Sequence, residues 1–351
     1  MLFVTGGAGV VGQALAGILP RRSTLWLRHR RSVQGGETVQ GDIRQLRLGL
    51  AELDYERLSR RVGAILHCAA ITNFARRVED MVQTNVEGTA RVIALARAAG
   101  NVPLYYVSTA FVREPQQPGN REERSAYRDS KRIAEELVRT SGLPWIIIRP
   151  SVIVGSSVDG SITPGFQGFH AVIGAALRGE VPLVPATTRA LCDFVPQDIV
   201  ARATAAILAS GKLGSTYWIT AGAGALPIVR IIVLLRSFAA SRGRRPPQLR
   251  LIDPESVERL VRPVFLAALP KRVRTRIQWI LDYSHYMSID EPFPSSLAEL
   301  LPFMGVDHLY CCCTCSSCRA ESVLLRNLRH LADATAFGES AELPSGALLT
   351  A

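Results

Sequence analysis

A chain of 351 residues, 48% hydrophobic and 20% charged, is long enough for one large core or two modest ones and too apolar for a disordered segment. Its longest apolar stretches, such as Leu226 to Leu235, are about half a membrane span and include Arg230, so no spanning helix is expected. The formal net charge of +11 is almost all arginine, with lysine only at Lys131, Lys212 and Lys271; it suits an anionic ligand, carrier or surface, and no motif points to nucleic acid. Met1 runs straight into an apolar segment with no signal-peptide pattern, which makes a cytoplasmic address the expectation.

In chain order, Leu2 to Thr5 reads as a strand, followed by a glycine turn and a helix through Val11, Leu15, Ile18 and Leu19. Thr24 to Leu27, Thr38 to Ile43 and Ala64 to Ala70 read as further strands, and Glu79 to Ala99 as a long helix. Leu104 to Ala110 is a fifth strand, Tyr127 to Thr140 a helix, and Trp145 to Ile148 a sixth strand closed by Pro150. Strands alternating with helices predict an α/β fold: a doubly wound parallel sheet covered on both faces. Residues 155–185 are rich in Gly, Ser and Pro and read as loops with one helix. Val195 to Ser210 is helical, Thr216 to Thr220 a strand, and 228–304 mostly helical and basic; the residues from about Asp333 read as a frayed tail. The expected division is a nucleotide-binding domain over 1–225, with 151–190 lending substrate loops. A helical lid region over 226–310 and a Cys-rich segment and tail over 311–351 complete it.

Thr5-Gly6-Gly7-Ala8-Gly9-Val10-Val11-Gly12 ends the first strand and opens the first helix. Gly6 permits the turn, Gly9 admits a pyrophosphate to the backbone, and Gly12 allows close helix–strand packing. After the second strand, where an acidic residue would hold the ribose hydroxyls of NAD, the chain has Arg28, Arg30 and Arg31. Guanidinium groups suit the 2′-phosphate of NADPH. Asp42, before Ile43, lies where a carboxylate can meet an adenine amine, and Cys68-Ala69-Ala70 ends the fourth strand with small residues. Cys68 reads as a small buried apolar residue rather than a nucleophile.

Tyr127 and Lys131 form a Tyr-x-x-x-Lys pair on one helix face. A nearby ammonium lowers the pKa of a phenol, so the pair can give a proton to a carbonyl oxygen. Thr109, at the carboxyl end of the fifth strand, is expected to bond the same oxygen, with Ser108 the competing choice.

Together these residues resemble the extended short-chain dehydrogenase/reductase superfamily, and Asn85-Val86-Glu87-Gly88-Thr89 looks like its Asn-x-x-Gly-Thr helix. The segments Leu66 to Ala70, Val107 to Val112, Ile148 to Gly155 and Asp193 to Val200 make it most similar to the thioester-reductase and fatty acyl-CoA reductase branch, the male-sterility type. The resemblance covers about the first two-thirds of the chain. It implies a Rossmann-type domain, NADPH as cofactor, and reduction of an acyl thioester to an aldehyde; a second hydride could give the alcohol. In that scheme Tyr127 is the proton donor, Thr109 its helper, and Lys131 tunes the phenol and holds the nicotinamide ribose. Pro150 and Val152 would lie near the nicotinamide amide. The acyl group would arrive as a CoA ester or on a separate acyl or peptidyl carrier. The stretch between Thr109 and Tyr127, with Pro115, Pro118 and Gly119, is shorter than in many relatives.

Ile228, Ile231, Ile232 and Leu235, and Val257, Leu260, Val261 and Val264, recur at helical spacing and read first as core. A sharper reading is an acyl channel, or with Arg242, Arg244, Arg245 and Arg250 a basic face resting on a membrane. Cys311, Cys312, Cys313, Cys315 and Cys318 crowd together with metal-like steps, but no reductase of this type needs a metal, and none is expected. Two other readings keep the glycine turn. One is a sugar-nucleotide epimerase or dehydratase, or a hydroxysteroid-type dehydrogenase, on the same fold. The other is a non-catalytic NADP-sensing protein, against which the intact Tyr127–Lys131 pair counts.

Overall fold

The structure is a computed structural model and describes residues 1–31, 33, 36–72, 77–113, 126–163, 168–180, 182–305 and 316–334. Its centre is a seven-stranded sheet: β1 Leu2–Thr5, β2 Thr24–Arg28, β3 Glu37–Gln40, β4 Ala64–His67, β5 Leu104–Val107, β6 Trp145–Pro150 and β7 Ser215–Ile219. All pairs are parallel, in the order β7-β6-β5-β4-β1-β2-β3. The chain winds outward from β1 in one direction and from β4 in the other. The topological switch therefore lies between β1 and β4, where an open α/β sheet binds its ligand.

Successive residues along the inner strands face opposite layers and are buried on both, as in a parallel sheet covered on its two faces. Val4, Trp26, Leu66, Tyr105, Val107, Ile146 and Ile148 face one layer, built from α1 (Val10–Ala16) and α7 (Gln197–Ser210). Phe3, Leu25, Leu27, Ile65, Leu104, Tyr106 and Ile147 face the other. That second layer comprises α2 (Glu52–Arg61), α4 (Gly88–Ala98) and α5 (Ala126–Arg139).

Several elements depart from the sequence reading. β4 stops at His67 rather than Ala70, and β5 at Val107 rather than Ala110. Among the described residues the ladders end with main-chain bonds from Cys68 N to Thr5 O and from Ser108 N to Ile148 O. The long helix 79–99 is interrupted: α3 (Val78–Met81) passes through a π-helical turn, Val82–Glu87, before α4. Helix α2 has no apolar stripe to announce it, since Leu58 is its one buried residue. Glu52 and Asp54 in its first turn and Arg60 and Arg61 in its last complement the helix dipole instead.

A third core lies beyond the sheet. It joins α6 (Gly168–Leu177), α8 (Ile228–Ser241), α9 (Lys271–Met287) and α10 (Ser316–Ala334) through Phe169, Ile173, Leu235, Phe238, Ile280, Val323 and Leu324. It draws residues from both sides of position 225, including Val154, Cys192 and Phe194. The stripe Ile228, Ile231, Ile232 and Leu235 is buried as expected. In the second stripe Val257 and Val261 are buried, but Leu260 and Val264 are more than half exposed. Their helix, Val257–Leu266, is a π-helix whose wider turn rotates them off the core face. Cys311, Cys312, Cys313 and Cys315 and the tail from residue 335 lie outside the described residues, and the side chain of Cys318 is not described. Among the described residues, no helix is long and apolar enough to cross a membrane.

Candidate active site

The glycine turn closes tightly over the end of β4. Gly6 has φ +78°, and a Cβ there would lie 2.5 Å from Ala69 N. A Cβ on Gly12 would come within 2.3 Å of Gly6 O, so Gly12 packs against the turn itself as well as opening α1. Gly9 differs: a Cβ would meet Gly6 O at 3.3 Å and no other atom within 4 Å. That open backbone face, with half-buried Val10 and Val11 beside it, leaves room for a pyrophosphate.

Arg28 ends β2 on the same edge. Its Nε is buried and has no hydrogen-bond partner among the described residues, an orphaned donor that a phosphate oxygen would satisfy. Arg30 and Arg31 are exposed. Asp42 is buried, but its carboxylate already accepts from Arg44 N at 2.9 Å and from Arg44 Nε and an Nη at 2.7–3.1 Å. His29 Nε2 stands 3.3 Å away. Burial pushes the Asp42 pKa up, but the Arg44 bonds outweigh it and hold the group below the usual range. An adenine amine would therefore share Asp42 with Arg44 instead of meeting an open acceptor. The Ile43 side chain turns into the core against Gly88, which leaves only its backbone toward the cleft.

A buried polar chain braces the switch point. Register places Thr5 beside His67, and Thr5 Oγ1 lies 2.6 Å from His67 Nδ1. His67 Nε2 meets Thr89 Oγ1 at 3.1 Å, Thr89 donates to Asn85 O at 2.6 Å, and Ala69 N donates to Thr5 Oγ1 at 3.2 Å. Burial first, and Lys131 second, bring the His67 pKa to about 3, so the ring is neutral and bonds as a spacer. Asn85 sits in the π-helical turn. Its amide accepts from Ile71 N (2.7 Å) and donates to Ile71 O (3.0 Å) and Ser130 Oγ (2.9 Å). A π-turn often marks a functional site, and here it aims one side chain at both the strand-end loop and α5.

Tyr127 and Lys131 lie on the buried face of α5, beside Thr109. Lys131 Nζ donates to Val107 O at 2.8 Å and sits 4.8 Å over the Tyr106 ring. Burial lowers its pKa to about 8, against upward pulls from Cys68 and Glu135. Burial raises the Tyr127 pKa, and the hydrogen bond with Thr109 opposes that rise. The ammonium is committed to the end of β5, and Thr109 is what favours the phenolate. Thr109 is also the hydroxyl on the Tyr127 side, while Ser108 faces Glu135. Burial pushes the Cys68 thiol up to about 12, so it stays protonated, as a packing residue would. Pro150 is buried at the end of β6, and half-buried Val152 follows in a short strand paired with Phe194–Pro196.

Since Lys131 is protonated up to about pH 8 when folded and to 10.5 when unfolded, the unfolded state binds more protons between those values. The Lys131 contribution to stability should therefore rise with pH across that window, by about 3 kcal/mol, while the buried Cys68 and Cys192 thiols, pushed up from 9.0, contribute a fall above pH 9.0. Denaturant melts should show it as a stability difference between wild type and Lys131→Met that shifts in favour of wild type from about pH 8 to 10.5.

Sequence reasoning did not single out Glu135. It is 1% exposed and takes a two-point ion pair from Arg149, at 2.9 and 2.5 Å, and a second from Arg139 at 2.8 Å. Arg149 also lies 4.6 Å over the Trp218 ring. Glu135 lies one turn past Lys131 on the same helix face, so it clamps α5 to β6 just before Pro150. The sequence carries no local signal for it, because its partner Arg149 lies on β6.

A model of the male sterility protein family, an NAD-binding domain, matches residues 21–204, just over half of the chain. The chain belongs to that family. A linear gramicidin synthase of Brevibacillus parabrevis is 35% identical over 160 residues, 41% of this chain and 3% of that protein. Fatty acyl-CoA reductase 1 of Homo sapiens is 28% identical over 203 residues, 46% of this chain and 39% of that one. The chain thus spans less than half the length of these relatives. Among solved structures, the terminal R domain of the myxalamid PKS-NRPS pathway has TM-score 0.69 at 23% identity, covering 95% of this chain and 90% of that one. A UDP-glucuronic acid 4-epimerase from Bacillus cereus, in complex with NAD, has TM-score 0.62 at 16% identity, covering 97% and 99%. These likenesses show the fold alone, one that the NAD-bound epimerase shares.

Proposed function

We propose that the chain is an NADPH-dependent reductase that converts an acyl thioester, on CoA or on a carrier protein, to an aldehyde. The observation that carries this reading is the buried group of Tyr127, Thr109 and Lys131 at the strand carboxyl ends. There the Tyr127 phenol and the Thr109 hydroxyl are hydrogen-bonded to each other, with Lys131 one helical turn on. Family membership, with relatives that include a fatty acyl-CoA reductase and a gramicidin synthase, supports the thioester as the substrate class. The NAD-bound epimerase of similar fold supports a nicotinamide cofactor in general. NADPH in particular rests on Arg28.

The residues fit the cofactor. Gly6, Gly9 and Gly12 with Val10 and Val11 would hold the pyrophosphate, Arg28 the 2′-phosphate, Asp42 and Ile43 the adenine side, and Ala69, Ala70, Lys131, Pro150 and Val152 the nicotinamide half. The bound nicotinamide supplies hydride to the thioester carbonyl carbon. Tyr127 gives its proton to the carbonyl oxygen as negative charge develops there, and Thr109 donates a hydrogen bond to the same oxygen. Lys131, once its ammonium meets a ribose hydroxyl as well as Val107 O, returns positive charge to the neighbourhood of the phenol. The resulting hemithioacetal breaks its C–S bond to leave an aldehyde and a thiol, the thiolate taking the proton.

Arg28→Ala should weaken NADPH binding by about 10- to 100-fold, the worth of one or two charge-assisted hydrogen bonds, and leave NADH binding little changed. Calorimetric titration with both cofactors measures this. Equal loss of both would mean that Arg28 does not contact the 2′-phosphate.

A further inference from the structure

Helix α9, from the C-terminal core, sends one side chain across to the catalytic cleft. Tyr283 is 8% exposed, and its hydroxyl donates to Thr72 O, 3.0 Å away, on the loop that follows Ala69 and Ala70. Trp279, one turn earlier, braces the ring at a centroid distance of 4.7 Å. The ring edge also lies against Gly168 at the start of α6, where a Cβ would come within 1.9 Å of Tyr283 Cε1. No side chain other than glycine fits there with the ring in this position. Tyr283 and Tyr127 are also near enough that the charge of one phenolate would disfavour the other. A large, rigid side chain is thus fixed at three points beside the proton donor, and the nicotinamide mechanism above makes no use of it.

We propose that Tyr283 is a specificity-determining residue: its ring walls the acyl site next to Tyr127 and limits the bulk allowed beside the thioester carbonyl. The inference rests on the thioester reading above. A straight acyl chain leaves the carbonyl with only a CH₂ on the Tyr283 side, whereas an α-branched chain puts a second carbon against the ring. One such carbon in a closed apolar pocket discriminates by about 10- to 200-fold. The hydroxyl serves the wall, since its bond to Thr72 O fixes the ring plane.

The test is binding of non-reducible thioether analogues of octanoyl-CoA and isobutyryl-CoA to the full chain saturated with NADP⁺, by calorimetry. Wild type should favour the straight analogue. Tyr283→Ala and the better-packed Tyr283→Leu should each move the affinity ratio at least tenfold toward the branched analogue, about one contact's worth. Tyr283→Phe, which keeps the ring, should leave the ratio within about twofold of wild type. An unchanged ratio in both Tyr283→Ala and Tyr283→Leu would overturn the proposal. So would equal loss of both analogues, the mark of a merely structural role. Wild type binding neither analogue would overturn it by a different route, by removing the thioester reading beneath it.

Discussion

Tyr127→Phe is expected to lower turnover by about 10²- to 10⁴-fold, the usual worth of a positioned general acid, while NADPH affinity stays within about twofold. The phenol is buried on α5 and Thr109 is its hydrogen-bonding partner, so removing the hydroxyl takes away the proton but leaves the helix face packed. Single-turnover measurement of NADPH oxidation isolates the chemical step. Undiminished turnover would move the proton donor elsewhere. Loss of NADPH binding together with activity would mean that the hydroxyl serves the cofactor instead.

Glu135→Gln is expected to destabilise the fold by about 3–5 kcal/mol, because it strips the counter-charge from a buried guanidinium. Arg149 has a side chain 14% exposed and Arg139 one 33% exposed, so Arg149 would bear most of that cost. Burial pushes the Glu135 pKa up, but Arg149, Ser108 and Arg139 more than offset it and hold the group below its ordinary value of 4.5. Its stabilising charge is therefore fully present above pH 4.5 and is lost as pH falls through the lower, folded value. Urea unfolding at neutral pH should show the full loss, and the variant should lack this part of the acid sensitivity. A change below about 0.5 kcal/mol would mean that water screens the pair as it does at a surface.

Much of this molecule is legible in its sequence because the parallel sheet is buried on both faces. Runs such as Leu104 to Val107 and Trp145 to Ile148 read as strands, and glycine and proline punctuate them. The glycine turn and the Tyr127–Lys131 spacing are likewise local patterns, and each falls where the fold needs it. What escaped was set by contacts distant in sequence. Glu135 looks like any helix glutamate until Arg149 folds beneath it. Tyr283 lies 156 positions beyond Tyr127 and reaches the cleft only through the packing of α9 on Gly168. Asn85 belongs to a recognisable motif, but the π-turn that aims it at Ile71 and Ser130 leaves no periodic trace. Helix α2 escaped for the opposite reason, being held by charge pattern and dipole rather than by an apolar face.

The most direct test of thioester reduction is loss of NADPH absorbance with a panel of acyl-CoA and acyl-carrier thioesters, with thiol release followed in parallel and NADH as control. Matched NADPH consumption and thiol release on at least one thioester, with NADH much slower, is the expected result. Tight NADPH binding with no turnover on any thioester would contradict that chemistry, leave the fold in place, and turn attention to alcohols, ketones and sugar nucleotides.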